Sequence, residues 1–317
     1  VPRADAHQGE YVPPSDARLE WLTGFAGSAG MAVVLAGKAA IFVDGRYTIQ
    51  VREQVDTHVF QPLHLIETPP SEWLAGELKA GQKLGYDPML HTINGARRLA
   101  EACASAGAEL VAVEVNPVDA VRHDRPAAPL GPVSVHSDDL AGEAAPSKIA
   151  RMAASVAKAK ADAFVLTQPD SIAWLFNIRG SDVSHTPLPL SFALLPASGM
   201  PQVFIDDRKL TNSSRDHLAS LAEIRGPADL LPALAALGRD GATVMLDPDW
   251  AGAALAAAVS EAGGTVRHGA DPITRAKAVK NAAEIAGARA AHLRDGAAFA
   301  RFLAWFDAAV DAGPLDE

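Results

Sequence analysis

Two stretches of this chain carry the same landmarks in the same order, and that repetition constrains the fold more than any single motif. Trp21-Leu22-Thr23-Gly24-Phe25-Ala26-Gly27-Ser28 is answered 153 residues later by Trp174-Leu175-Phe176-Asn177-Ile178-Arg179-Gly180-Ser181, with Trp, Leu, Gly and Ser in matching places. Each block leads into two β-rich runs joined by turn residues, 31–35 with 39–43 and 191–195 with 202–205, which read as hairpins. Each hairpin closes on an acidic-Arg tag, Asp44-Gly45-Arg46 in the first copy and Asp206-Asp207-Arg208 in the second. The offset has grown to 162 there because the second copy carries an extra region at 183–190, and insertions belong in loops.

The register continues. Leu84-Gly85-Tyr86-Asp87-Pro88 matches Val244-Met245-Leu246-Asp247-Pro248, each a short apolar strand closed by a proline turn. Alanine-rich helices are predicted at 96–106 and 253–262, stopping at Gly107 and Gly263 in the left-handed C-terminal position. Asn116-Pro117-Val118 then answers Asp271-Pro272-Ile273. At 317 residues the chain has the length of two ordinary domains. The reading is an α/β chain of two tandem homologous domains, each a mixed sheet flanked by helices: 1–135, a linker at 136–146 that ends a stretch from Asp124 rich in Pro, Ala, Ser and Asp, and 147–277. The second copy opens with a helix at 148–160 and a strand at 163–166, whereas the first begins without them. A missing front helix is therefore expected in the first copy.

Beyond the second copy, Asn281 with Glu284 three residues on forms a capping-box signature, and no proline interrupts until Gly313-Pro314. That predicts a helix of about 30 residues and about 45 Å. Its stripe of Ile285, Ala288, Phe299, Phe302, Leu303, Phe306 and Val310 needs a partner. Residues 278–317 thus read as the first helix of a truncated third domain; docking back on the second copy and a dimer seam are the alternatives.

Composition narrows the chemistry. A formal charge of -10 with scattered basic residues argues against nucleic acid, and no apolar run approaches the roughly 18 residues of a membrane span. The only cysteine, Cys103, rules out an intrachain disulfide and fits a reducing cytoplasm. No secretory signal opens the chain, so the sequon at Asn212-Ser213-Ser214 reads as incidental. None of the ten histidines falls in His-x-x-x-His spacing, and Asp5-Ala6-His7 with Glu10, or Asp182 with His185, read as turn formers. The run from Gly24 to Gly30 leads into a strand rather than a helix, so it lacks the helix N-terminus a dinucleotide loop requires. No self-sufficient catalytic set is visible. Arg46 stands out: Gly45 frees the backbone past a strand end, and the guanidinium beside Tyr47 is placed to grip a carboxylate or carbonyl. The alternative is an arginine that only closes the strand end onto Asp44 or Asp16.

These motifs resemble the three-domain, cytosolic-type Xaa-Pro aminopeptidases. The resemblance rests on 5–11, 24–30, Asp44-Gly45-Arg46-Tyr47, the long run from Ile172 to Asp182, and Lys277-Ala278-Val279-Lys280-Asn281. It implies two creatinase/prolidase N-terminal-type domains followed by a pita-bread catalytic domain that removes the N-terminal residue from peptides with proline second. It further implies two divalent metals, usually manganese, held by two Asp, one His and two Glu of that third domain. None of those ligands maps onto this chain, so the fragment is expected to be inactive and to hold no metal. What carries over is substrate binding, by Arg46 and, with a looser match, by Asp16. The resemblance also implies Xaa-Pro peptides as ligands, a cytoplasmic location and a homodimer built largely through the third domain. The missing amino-terminal helix, and Gly9 in place of a common serine, are the departures. A non-enzymatic peptide-binding or assembly module, and an amidinohydrolase on the same architecture, are the rival readings.

Overall fold

The computed structural model of the chain describes residues 1–311 and 313. In the first copy, β1 (Gly30–Leu35) and β2 (Lys38–Val43) pair antiparallel from Gly30↔Val43 to Leu35↔Lys38, and β3 (Phe60–His64) joins β2 in parallel. Farther along, β4 (Lys83–Tyr86) and β5 (Glu109–Ala112) form a parallel pair. After β6 (Ser134–Val135) the second copy contributes β7 (Ala163–Leu166), β8 (Ile178–Arg179), β9 (Phe192–Pro196), β10 (Gln202–Phe204), β11 (Glu223–Arg225), β12 (Thr243–Leu246) and β13 (Thr265–His268).

Six of these make one mixed sheet in the order β11-β10-β9-β7-β12-β13. All four residues of β7 are buried, as a central strand covered by helices on both faces requires. Alternation along the sheet divides its core in two. Phe164, Leu166 and Leu195 pack on one face with Phe176, and Val165, Leu194 and Phe204 pack on the other with Leu234 and Leu255. Each such side chain stabilises the fold by roughly 1.5–3 kcal/mol. In the first copy β3-β2-β1 answers β11-β10-β9, and β4-β5 answers β12-β13, but the place of β7 has no counterpart. Its described strands therefore form two pieces, three strands and two, on either side of the place of the opening strand that the sequence already lacked in this copy.

Helix boundaries follow the capping chemistry. Gly107 and Gly263 do take positive φ, +69° and +100°, which a side chain there would strain. The matched Asn116 and Asp271 prove to be equivalent N-caps, accepting from the Val118 and Ile273 amides at 3.0 and 2.8 Å, each with proline next in line. The first alanine-rich helix starts earlier than expected, at Ile93–Ser105, because Thr92 caps it through the Gly95 amide. Residues 136–146, read as a linker, hold a short helix, Asp138–Ala141, and the start of Ala145–Lys158, directly after β6 pairs antiparallel with β8.

The copies meet about a local pseudo-twofold axis. The Ile93 amide donates to Ala251 O and the Ala253 amide to His91 O, while Asn94 N–H reaches Pro248 O and Ala254 N–H reaches Pro88 O, all at 2.9 Å. Every bond has a mate displaced by 160 residues in both partners, the reciprocity of a self-complementary interface. The bridge between Thr92 and Gly252 lies at its centre.

The long helix, Ala282–Val310, runs 29 residues from a complete capping box. Asn281 Oδ1 accepts the Glu284 amide at 3.0 Å, Glu284 Oε2 accepts the Asn281 amide at 2.9 Å, and Asn281 Nδ2 holds Ala141 O at 2.8 Å. Trp174 Nε1 donates to Glu284 Oε1 at 3.3 Å, just as Trp21 Nε1 donates to Asp124 Oδ1 at 3.0 Å. In each copy the repeated indole thus ties down the segment leaving the domain. Past its first turns the helix leaves the body: Leu293, Phe299, Phe302, Leu303, Phe306 and Val310 are all exposed, so it does not dock back on the second copy. Pro314, expected to follow it, lies outside the described residues. Asn281→Ala is expected to cost about 1–2 kcal/mol at this junction. Hydrogen exchange at the Ala282–Ile285 amides reads it; unchanged exchange would show that the cap contributes nothing. No helix among the described residues is long and apolar enough to cross a membrane.

Candidate substrate-binding residues

Arg46 lies in the single 3-10 turn, Gly45–Tyr47, that follows β2. Asp44 caps that turn through the Arg46 amide at 2.9 Å and binds the same residue's guanidinium, with Nε at 3.2 and 3.1 Å from the two oxygens and Nη2 at 2.6 Å. Hydrogen bonds from Arg46 hold the Asp44 carboxyl below its ordinary range. The guanidinium also sits 5.0 Å over the Tyr47 ring, whose hydroxyl is 2.7 Å from Ser28 Oγ. Hydrogen bonding to Ser28 lowers the Tyr47 pKa. One edge of the guanidinium is thereby fixed. The Arg46 side chain remains 63% exposed, and Nη1 makes no hydrogen bond among the described residues.

The second copy repeats this turn with Arg208 on Asp206, Nε at 2.9 and 3.2 Å and Nη2 at 2.5 Å, and there the carboxyl is held down to about 2. The clamp on Asp44 is therefore a repeat-wide way of closing a strand end. What differs is the next residue. Where Tyr47 reaches Ser28, Lys209 reaches Asp182 in a buried ion pair of 2.7 Å. The first copy presents an arginine on an aromatic ring; the second spends the equivalent position on packing.

Asp16 is placed differently. It ends the 3-10 turn Pro14–Asp16, and its Oδ1 accepts from Arg18 Nη1 at 2.9 Å and Arg125 Nη2 at 3.2 Å. Both arginines also bind Asp119, Arg18 at 2.8 Å and Arg125 at 2.9 Å. The result is a four-membered network of balanced charge. Asp16 and Arg46 share no bonding partner, so the structure does not join them in one site.

The residues weighed for a metal are otherwise engaged. His7 stacks on Phe192 with centroids 4.3 Å apart, and its Nδ1 lies 3.0 Å from Thr167 O, so it tethers the first copy to the second. Asp182 accepts the Gly131 and Leu190 amides as well as Lys209. Among the described residues no three His, Cys, Asp or Glu side chains come together in a metal-holding group. Sequence reasoning missed the Ser28–Tyr47 contact. The repeated Gly-Ser dipeptides at 27–28 and 180–181 were the available signal: Ser28 reaches Tyr47, and Asp182, next after Ser181, reaches Lys209.

Residues 11–123 and residues 124–284 each match the Creatinase/Prolidase N-terminal domain family, the second match alone covering half of the chain. The chain belongs to this family. Both creatinase/prolidase-type domains recur together in its relatives. It is 36% identical over 318 residues to a probable Xaa-Pro aminopeptidase P of Penicillium rubens, covering 97% of this chain and 51% of that protein. It is 38% identical over 319 residues to the Aspergillus clavatus counterpart, at 97% and 48% coverage. Among solved structures, an X-prolyl aminopeptidase from Caenorhabditis elegans, described as a cytosolic enzyme with a di-nuclear active site, superposes with a TM-score of 0.91. That match is at 31% identity and covers 99% of this chain and 52% of that one. The chain therefore spans about half the length of the relatives it matches.

Proposed function

We propose that this chain is the non-catalytic, substrate-facing half of a cytoplasmic Xaa-Pro aminopeptidase. The observation that carries the proposal is the match along 97% of this chain to proteins of that activity, of whose length it makes up about half. In this reading the chemistry belongs to a catalytic domain in the remaining half. Two divalent metals, taken to be manganese, would supply water activation there for hydrolysis of the peptide bond before proline. The exposed face of the long helix is where that domain packs, and the homodimer forms largely through it. This chain's own part is binding. Asp44 and the Tyr47 ring hold the Arg46 guanidinium in one orientation, so that Nη1 can donate to a peptide carbonyl or carboxylate with little ordering cost. Asp16, held by Arg18 and Arg125, is the second substrate-binding residue of this reading, on the looser family match.

The whole protein, loaded with manganese, is expected to release the first residue of Xaa-Pro peptides and to leave creatine untouched. The 317-residue chain should do neither. Comparable cleavage by the chain alone overturns the division of labour, and creatine turnover would favour an amidinohydrolase. Within the whole protein, Arg46→Ala should raise KM or lower kcat/KM for Xaa-Pro peptides about tenfold, about 1.4 kcal/mol of transition-state binding, with the unfolding midpoint unchanged. Lost stability with normal kinetics would return Arg46 to closing a strand end.

A further inference from the structure

His64 ends β3 and pairs with Val43, so it stands across from the tag that holds Arg46. Its Nδ1 accepts two backbone amides, Ile66 at 3.3 Å and Glu67 at 3.2 Å, while the Thr68 amide closes the turn onto His64 O at 2.9 Å. A ring nitrogen that accepts two N–H groups carries a lone pair, which leaves the proton of the neutral imidazole on Nε2. That N–H makes no hydrogen bond among the described residues. It faces Gly45, where a Cβ would stand 3.4 Å from Nε2. Gly45 does not take a positive φ, so the backbone freedom expected of it is not what this turn uses. Nor would a methyl group clash, since that distance is ordinary van der Waals contact. What a side chain at 45 would do is cover the imidazole N–H.

The second copy inverts the arrangement. At the offset of 162 that relates Arg46 to Arg208, Gly45 becomes Asp207. The strand pairing keeps that offset, Phe42↔Leu63 against Phe204↔Arg225, so His64 becomes Gly226. There the glycine amide is taken by Asp229 Oδ2 at 3.1 Å, and the Asp207 carboxylate lies 3.5 Å from Arg215. The second copy thus carries a carboxylate of its own next to the tag arginine. The first has none at that position and presents an N–H donor to the same turn instead.

We propose that Arg46 Nη1 and His64 Nε2–H, the two unpaired donors about Gly45, form a site for the free C-terminal carboxylate of a short peptide. The proposal rests on the reading of Arg46 as a substrate contact and deepens it by naming the group bound. A carboxylate brings two oxygens and a charge to a guanidinium edge and an N–H, whereas a peptide carbonyl brings one oxygen and no charge. Only a peptide short enough for its last residue to reach this turn gains both contacts, so the site selects for length as well as for charge.

The test compares an Xaa-Pro-Yaa peptide acid with its C-terminal amide on the whole protein loaded with manganese. The acid should have a kcat/KM about tenfold above that of the amide. His64→Asn keeps an acceptor for the Ile66 and Glu67 amides but loses the Nε2 donor, and should narrow the preference to about twofold through KM. Gly45→Ala, which covers that donor, should do the same without lowering the unfolding midpoint. No preference in the natural protein overturns the proposal, and so does a tenfold preference that survives both substitutions. Arg46→Ala separates the two levels of the reading. Equal slowing of acid and amide leaves Arg46 a substrate contact but overturns the carboxylate site; normal kinetics on both overturns contact and site together. On the 317-residue chain, which holds both donors, the acid should shift the His64 Nε2–H resonance and the amide should not. Failure of that shift overturns the site whatever the whole protein cleaves.

Discussion

Lys209→Met is expected to cost about 3–5 kcal/mol, the largest effect of any charge removal in this chain. The Asp182 side chain is fully buried and that of Lys209 is 7% exposed, so removing the ammonium leaves a carboxylate in the interior with only the Gly131 and Leu190 amides for company. The exposed clamps of Arg46 and Arg208 are shorter in sequence and similar in distance, yet water screens them and their loss should hardly register. Urea unfolding separates the cases. The double variant Asp182→Asn with Lys209→Met should recover much of the deficit, since the charge to be accommodated is gone. A loss below about 1 kcal/mol for Lys209→Met would mean that the interior around 182 admits water and that the pair behaves like a surface one.

Gly252→Ala is the second large expectation, at about 1–3 kcal/mol. A Cβ there would lie 2.8 Å from Met89 O and 3.1 Å from Pro88 O, both backbone atoms of the other copy, so neither can rotate away. Its symmetry mate, Thr92, already carries a side chain, and the close approach across the axis tolerates only one. The wedge should weaken the bonds from Ile93 and Asn94, raising exchange at those two amides along with the fall in unfolding free energy. Gly76→Ala is the control. It lies in the helix Pro70–Glu77 with nothing near its added methyl, so it should be neutral or stabilise by up to about 1 kcal/mol. Equal losses for the two glycines would remove the steric explanation.

Much of the architecture was written locally. The repeated Trp-Leu block, the two hairpins, the caps at Asn116, Asp271 and Asn281, and the glycines at 107 and 263 each act through a few neighbours, so their outcome can be read from a few letters. Pairings that join distant segments could not be read this way. Asp16 meets Arg125 across 109 residues, and His7 meets Thr167 across 160, with no local signature in either case. The short helix within the 136–146 linker was not legible either, because what holds it is the antiparallel pairing of β6 with β8 just before it. For the site, the sequence did pick out Arg46 and its aromatic neighbour. It could not show that Asp44 clamps the guanidinium in the same way that Asp206 clamps Arg208, because that equivalence lies in side-chain geometry.

The reciprocal bonds around Thr92 and Gly252 have a consequence for concentration. Two separate molecules meeting through such a contact would dissociate on dilution, whereas copies on one chain face each other at an effective concentration of order millimolar however dilute the protein is. Tethering therefore relaxes the demand that each copy be able to hold the other alone. One partner can give up a side chain, as at Gly252, or take on an insertion such as 183–190, without the assembly falling apart. Covalent linkage is what leaves the second copy free to bury Lys209 while the first keeps an arginine in the open.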